Sequence, residues 1–220
     1  GLKTGVFAHL NFWNSDGSES VTCGNATRCA ADLLMSEINS NEITITTDHT
    51  EIKCQKNKNN LISINLGEPK IGWDEIPLSE EYDTLRLPLE GTPVATNIGN
   101  PHCTYFVKDI EKNPIIKIGK KTENHPLFPN KTNVQVAEII DQSTIKMKVW
   151  ERGCGVTMAS GSSACAVMVA ANRLGLTKKS VKILSDGGIV FVEWKENGVW
   201  LTGPTTFAFS GKISEDLLNI

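Results

Sequence analysis

The chain contains a short internal repeat, and this repeat limits the possible folds more than any other feature of the sequence. Residues 23–30 read CGNATRCA and residues 160–166 read SGSSACA. In both segments a thiol or hydroxyl side chain stands before a glycine at the start of an Ala-rich helical pattern, and a strand pattern comes before it. Duplication of one α/β unit explains the repeat, and the alternative is chance similarity between two helices rich in Ala and Gly.

Apolar periodicity predicts similar elements on both sides of one irregular segment. Alternation predicts strands at residues 6–13, 42–47, 50–55, 61–66, 102–107, 133–140 and 144–151, with a hairpin at 191–202. Helical spacing predicts helices at 23–35 and 161–174. Because residues 67–90 show little periodicity, we place a crossover between two domains there. The predicted N-terminal half is 1–65, completed by 209–220, and the predicted C-terminal half is 66–208.

The charge and composition of the chain argue against several classes of partner. Lys and Arg number 22 against 25 Asp and Glu, and their scatter gives no basic surface for nucleic acid. No run approaches the roughly 18 to 20 apolar residues of a membrane span, and the N-terminus lacks a signal-peptide pattern. The six cysteines are too few for a disulfide scaffold and lack zinc-site spacing. We therefore expect a cytoplasmic protein with reduced thiols and without a membrane, nucleic-acid or metal partner.

Cys23 stands where the start of a helix would act on a thiol. Unpaired N–H groups and the positive end of the helix dipole bind carboxylates and lower the pKa of a nearby thiol. Two helix starts that face each other across a cleft could hold one carboxylate and place one side chain on each face of its α-carbon. This geometry suits racemisation without a cofactor, in which a thiolate removes the α-proton and an opposed thiol returns one. The alternative is that Cys23 is a small buried apolar side chain.

Four motifs in order carry a resemblance to a known family. The segments NSDGSE (14–19), CGNATRC (23–29), GNPHC (99–103) and ERG (151–153) resemble the motif series of diaminopimelate epimerase, and residues 128–129, 133–134 and 201–204 extend the similarity over nearly the whole chain. The resemblance implies an α+β fold of two pseudo-symmetric halves, each a curled β-sheet or barrel around a central helix. The active site would lie in the cleft between the halves.

The resemblance also implies roles for individual residues. Cys23 and Ser160 would occupy the two acid/base positions, and Glu151 and His102 would orient or polarise groups near the reacting centre. The backbone amides that hold the α-carboxylate would be those of Gly24, Asn25, Gly161 and Ser162. The side chains that bind the ends of the substrate would be those of Asn14, Asn100, Asn133 and Arg152, where the guanidinium supplies a planar fork for a carboxylate. The implied enzyme is a homodimer that interconverts LL- and meso-diaminopimelate in lysine and peptidoglycan biosynthesis without metal, pyridoxal phosphate or nicotinamide.

Each of these residues also has a simpler interpretation. Asn14 and Asn100 stand in segments that favour turns in their own right. Glu151 and Arg152 could form a surface pair, and His102 could be a packing residue. We predict that Cys29 and Cys165, in the two helices, pack in the core. We interpret Cys54 and Cys103, in the strands, as structural residues.

Ser160 departs from the family pattern, which has a second catalytic cysteine at this position. An alcohol is a far weaker acid than a thiol, whose pKa is about 8.5, so Ser160 is a poor replacement for an anionic base. Three explanations stay open: an introduced change in an epimerase, a natural paralogue that binds an amino acid without reacting, or a one-base dehydratase or lyase of the related proline racemase type. The resemblance further implies a segment before Gly1 that this chain lacks, so we expect the N-terminal half to be incomplete.

Overall fold

The structure is a computed structural model that describes residues 7–13, 17, 19–20 and 23–214. These residues form three helices, which are α1 (Gly24–Glu37), α2 (Ile115–Glu123) and α3 (Gly161–Arg173). The strands are β1 (Ala8–His9), β2 (Phe12–Trp13), β3 (Glu19–Ser20), β4 (Glu42–Thr46), β5 (Glu51–Lys56), β6 (Ile62–Asn65), β7 (Val94–Asn97), β8 (Pro101–Val107), β9 (Asn133–Asp141), β10 (Thr144–Glu151), β11 (Gly155–Thr157), β12 (Ser180–Ser185), β13 (Gly188–Lys195) and β14 (Gly198–Gly203).

A 12-stranded sheet runs through the described part of the chain in the order β1-β4-β5-β6-β14-β13-β12-β10-β9-β8-β7, with β11 attached to β10. Strand β6 pairs antiparallel with β14, and this pairing joins the early strands to the late ones. The pairs β1–β4, β8–β9 and β10–β12 are parallel. Strands β2 and β3 form a separate two-stranded sheet.

Helices α1 and α3 pack on the sheet in different ways. Every residue of α3 from Ser163 to Ala171 is buried, and α3 contacts strands β7 to β10 and β12 to β14. A helix that is apolar on all sides is stable only when its surroundings enclose it, so the sheet has to curl around α3. Helix α1 packs on β4, β5 and β6 with one face, which buries Ala31 and Met35, while Leu33 on the other face is exposed.

The cysteines differ in burial along this arrangement. Cys54, Cys103 and Cys165 are buried, as expected of packing residues, and burial raises the pKa of the Cys54 thiol to about 12. The prediction that Cys29 packs in the core was wrong, because Cys29 is exposed. It lies on α1, where the strands cover only one face, whereas Cys165 lies on the fully enclosed α3.

The predicted helices agree with α1 and α3 to within a few residues, but α2 was missed. Its sequence, IIKIGKKTE, combines β-branched residues with a central Gly119, which reads as a poor helix. The strand predicted at 6–13 is two short strands in its described part, and β3, β7, β11 and β12 were not predicted. In the structure α2 is stabilised by packing against strands β9, β10 and β11, which follow it in the chain.

Candidate active site

Helices α1 and α3 begin next to each other. A Cβ atom built on Gly161 would lie 3.7 Å from the Gly24 Cα and 2.7 Å from Cδ2 of Leu201. A Cβ built on Gly24 would lie 3.9 Å from the Gly161 Cα. The two helix starts are therefore in contact, and the predicted carboxylate-binding amides come to one place.

The residues that precede the two helices have nearly the same backbone conformation. Cys23 is the N-cap of α1 with φ −142° and ψ 100°, and Ser160 is the N-cap of α3 with φ −142° and ψ 123°. The first intrahelical bonds run from Thr27 N to Cys23 O and from Ala164 N to Ser160 O. By helix geometry the amides before these donors have no intrahelical acceptor. The amides of residues 24, 25, 161 and 162, which the sequence singled out, belong to this group.

The two N-cap side chains differ in what they contact. The Cys23 Sγ accepts a hydrogen bond from the Ala26 N–H at 3.5 Å, so the sulfur lies over the first turn of α1. The Ser160 hydroxyl makes no such bond to α3, although Ser160 is buried. The two N-cap side chains are therefore not equivalent, because only the Cys23 sulfur is bonded to the start of its own helix.

A second group of predicted residues lies on β8, β9 and the turn after β10. His102 is the register partner of Asn133 across the parallel pair. The Asn133 Nδ2 donates to Pro101 O at 3.0 Å, and the Asn133 Oδ1 accepts from the Arg152 backbone N–H at 2.9 Å. The turn that carries Arg152 is therefore held against β9, and the guanidinium donates from Nη1 to Asn130 O at 2.9 Å.

His102 is completely buried and forms hydrogen bonds through both ring nitrogens. Its Nε2 lies 2.7 Å from Oδ1 of Asn100, and its Nδ1 lies 2.9 Å from Nε2 of Gln135. Burial, and to a lesser extent the positive charge of Arg152, lower the pKa of His102 to about 3. The imidazole is therefore neutral near pH 7.

The structure connects this second group to the start of α3. Gln135 Nε2 also donates to the Ser163 hydroxyl at 3.0 Å, in the first turn after Ser160. Glu151 lies at the end of β10, where its carboxylate accepts a hydrogen bond from the Thr157 hydroxyl at 2.5 Å. Asn14, which was predicted to bind substrate, lies outside the described residues.

Three residues near the site were not predicted. Gln135 and Glu123 are buried polar side chains whose partners lie on distant segments, and nothing local in the sequence indicates these contacts. Glu123 accepts from Trp150 Nε1 at 2.7 Å and from the Gly153 N–H at 2.9 Å, so it holds both sides of the turn that carries Arg152.

Arg28 is the third residue near the site that was not predicted, although it belongs to the CGNATRC motif identified in the sequence. It is buried, and its Nη2 donates to Asn25 Oδ1 at 3.0 Å. Its Nε and Nη1 have no hydrogen-bond partner among the described residues, and burial lowers the pKa of the guanidinium. Arg28 lines a cavity of about 180 Å³ together with Ser160 and Gly161.

Two further observations bear on metals and membranes. Within residues 7–13, 17, 19–20 and 23–214, no cluster of three or more His, Cys, Asp or Glu side chains is arranged to hold a metal ion. None of the helices in the same part of the chain is long and apolar enough to span a membrane.

Comparison with known proteins gives a consistent result. A family model described as diaminopimelate epimerase matches residues 94–208. Diaminopimelate epimerase of Rhodospirillum centenum is 41% identical over 214 residues, which are 95% of this chain and 74% of that protein. Diaminopimelate epimerase of Pelagibacter ubique is 44% identical over 211 residues, which are 91% of this chain and 77% of that protein.

Solved structures at low sequence identity share the fold. A putative phenazine biosynthesis PhzC/PhzF protein from Clostridium difficile has a TM-score of 0.61 at 18% identity and covers 94% of this chain and 78% of that one. A hydroxyproline epimerase from Agrobacterium vitis has a TM-score of 0.63 at 12% identity and covers 89% of this chain and 67% of that one. These matches confirm the predicted α+β fold with a curled sheet.

Proposed function

The chain belongs to the diaminopimelate epimerase family, and from that premise we propose that its cleft binds LL- and meso-diaminopimelate and inverts one α-carbon without a cofactor. In this proposal Cys23 is one acid/base group and Ser160 occupies the position of the other. The observation that carries the proposal is the meeting of the two helix starts at Gly24 and Gly161. Relatives named diaminopimelate epimerase at about 40% identity support the substrate.

The reacting end of the substrate would lie at the two helix starts. The amides of Gly24, Asn25, Gly161 and Ser162 have no acceptor within their own helices, and the positive ends of both helix dipoles favour an anion. A carboxylate held there would place its α-carbon between the N-cap side chains. Cys23 and Ser160 have matching backbone conformations, and this pseudo-symmetry suits proton transfer on opposite faces.

The other end of the substrate would lie at Arg152. Its turn is held in place by Asn133 and Glu123, and Asn100 lies close by through its bond to His102. Arg152 offers a charged fork to the second carboxylate. Glu151, at the end of β10, would orient groups near the reacting centre.

Ser160 limits what this site can do. A hydroxyl is a much weaker acid than a thiol, so at neutral pH Ser160 would rarely be the anion that removes a proton. Proton transfer on the Cys23 face would remain possible. We therefore expect slow epimerisation by the chain as it stands.

Replacing Ser160 by Cys tests the proposal. A well-placed acid or base contributes about 10²- to 10⁴-fold, so S160C is expected to raise the rate of LL- to meso-diaminopimelate conversion by about 100-fold or more. Chiral chromatography of the products measures this rate. The control is Cys23→Ser in the S160C background, which should abolish the gain. Equal activity of the wild-type chain and S160C would show that residue 160 is not the second base.

Exchange of the α-proton with solvent deuterium separates the proposal from its alternatives. The proposed mechanism predicts exchange from one stereoisomer in the wild-type chain, and exchange from both in S160C. Binding of diaminopimelate with no exchange from either isomer would favour an amino-acid-binding paralogue. Release of a product that lacks a β-substituent, from β-substituted substrates, would favour the dehydratase or lyase.

The proposal includes a place in lysine and peptidoglycan biosynthesis, a cytoplasmic location and a homodimer. All six cysteines are free thiols in the structure, and a reactive Cys23 needs a reducing compartment. Light scattering coupled to size-exclusion chromatography tests the dimer.

A further inference from the structure

The carboxamide of Gln135 joins three elements of the fold. Gln135 lies on β9 and is completely buried. Its Oε1 accepts a hydrogen bond from the Thr104 hydroxyl on β8 at 3.1 Å. Its Nε2 donates to His102 Nδ1 on β8 at 2.9 Å and to the Ser163 hydroxyl on α3 at 3.0 Å. Both N–H groups of the amide and its oxygen are therefore used, so every polar atom of this buried side chain has a partner.

This orientation determines which ring nitrogen of His102 carries the proton. Because Nδ1 accepts from Gln135, the proton of the neutral imidazole is on Nε2. The Nε2–H then donates to Oδ1 of Asn100 at 2.7 Å. The carbonyl of Asn100 faces His102, so the NH₂ group is the part of the amide that can donate to a ligand.

We propose that Gln135 is a positioning residue that acts through His102 to turn the amide of Asn100, so that Asn100 offers hydrogen-bond donors to a carboxylate of the substrate. The inference rests on the proposed function for the identity of the substrate. If the proton of His102 were on Nδ1, the amides of Gln135 and Asn100 would both be reversed. Asn100 would then present its oxygen, which suits an ammonium group. A buried side chain that never touches the ligand would thus select between the two charged groups at one end of diaminopimelate.

The surroundings of Asn100 agree with a carboxylate as its partner. The backbone N–H of Arg152 is bound to Asn133, which is the register partner of His102 on the neighbouring strand. The Asn133 Oδ1 and Nδ2 are already bonded to the backbone. Asn100 and Arg152 can therefore bind one carboxylate together, since both present donors.

The tautomer of His102 tests the inference directly and needs neither activity nor ligand. Two-bond ¹⁵N–¹H spectra of the labelled chain at pH 7 identify the protonated nitrogen of each of the four histidines, and the spectrum of His102→Gln assigns His102. We expect the proton on Nε2 in the wild-type chain. A proton on Nδ1 would overturn the inference whether or not any variant folds.

Gln135→Met supplies the perturbation, because it keeps the bulk of the side chain and removes its hydrogen bonds. We expect a measurable Nδ1–H population of His102 in Q135M. Ser163→Ala is the matched control, since it removes one partner of Gln135 but leaves the bond to His102. S163A should keep the proton on Nε2.

Binding of two amino acids gives the functional readout by calorimetry. meso-Diaminopimelate carries the second carboxylate, and L-lysine is the same molecule without it. Loss of one hydrogen bond to a charged group corresponds to about tenfold in affinity, so Q135M should bind diaminopimelate about tenfold more weakly and lysine unchanged. An equal loss for both ligands would mean a merely structural role and would overturn the inference. If the wild-type chain binds neither ligand, the proposed function is refuted. The tautomer of His102 still decides how the amides of Gln135 and Asn100 are oriented.

Discussion

Gly119 lies in the middle of α2. Replacing it by Ala should destabilise the protein, although a Gly-to-Ala change inside a helix usually stabilises it. Alanine is favoured over glycine inside a helix by about 1 kcal/mol. A Cβ on Gly119 would, however, lie 2.4 Å from Cγ and 2.5 Å from Cδ2 of Trp150. Carbon atoms pack best at about 3.5 to 4.0 Å, so the indole ring has to move by about 1 Å.

The indole cannot move freely, because its Nε1 donates to the buried Glu123 carboxylate at 2.7 Å. Overpacking typically costs about 1–3 kcal/mol, and weakening a hydrogen bond to a charged group costs about 1.5–3 kcal/mol. After subtraction of the gain in helix propensity, we expect G119A to lower the free energy of unfolding by about 2–4 kcal/mol.

Urea unfolding followed by tryptophan fluorescence measures this free energy. Gly24→Ala is the matched control, because its Cβ would approach Leu201 Cδ2 at 3.4 Å, an ordinary contact. A Trp150→Ala background removes the contacts with the indole ring but keeps the Cβ of residue 150, which would lie 2.7 Å from the new Cβ. G119A should therefore cost less stability there than in the wild type. A G119A protein as stable as the wild type, or an equally large loss of stability in the Trp150→Ala background, would refute the reasoning.

Two other predictions concern buried ionisable groups. Glu123→Gln should lower the free energy of unfolding, measured in urea, by about 1–3 kcal/mol and weaken diaminopimelate binding. The reason is that a carboxamide cannot accept from both Trp150 and Gly153. Unchanged stability and affinity would contradict the role of Glu123. The pKa of His102 falls from 6.5 to about 3 in the fold, so the unfolded chain takes up a proton as the pH falls through 6.5 and the native state does not. Between pH 6.5 and about 4.5 the wild type should therefore lose about 2 kcal/mol more stability than His102→Gln, and parallel pH profiles would contradict this.

Local sequence signals were sufficient for the two helix starts. A glycine after Cys23 or Ser160, followed by small residues in helical spacing, specifies where a helix begins whatever surrounds it. Strands β4 to β6 and β8 to β10 were predicted for a similar reason, since alternation is a property of neighbouring residues. The division of the chain into halves at residues 65 and 66 stays a prediction.

Contacts between distant segments could not be predicted in this way. Gln135 binds His102 and Ser163 over 33 and 28 residues, and Glu123 binds Trp150 over 27. The residues around a glutamine in an apolar strand do not indicate which distant side chains it binds. The helix around Gly119 was missed for the same reason, because the ring that packs against it belongs to β10.

Ser160 does not cap helix α3 with its side chain, in contrast to Cys23 on α1. Serine is among the best N-cap residues, and a capping hydroxyl contributes about 1 kcal/mol to its helix. The Ser160 hydroxyl makes no bond to α3, whereas the Cys23 sulfur does accept from the first turn of α1. Helix capping therefore does not explain a serine at this position. A change in epimerisation rate in S160C would then reflect the chemistry of the side chain, since the substitution removes no hydrogen bond from the helix start.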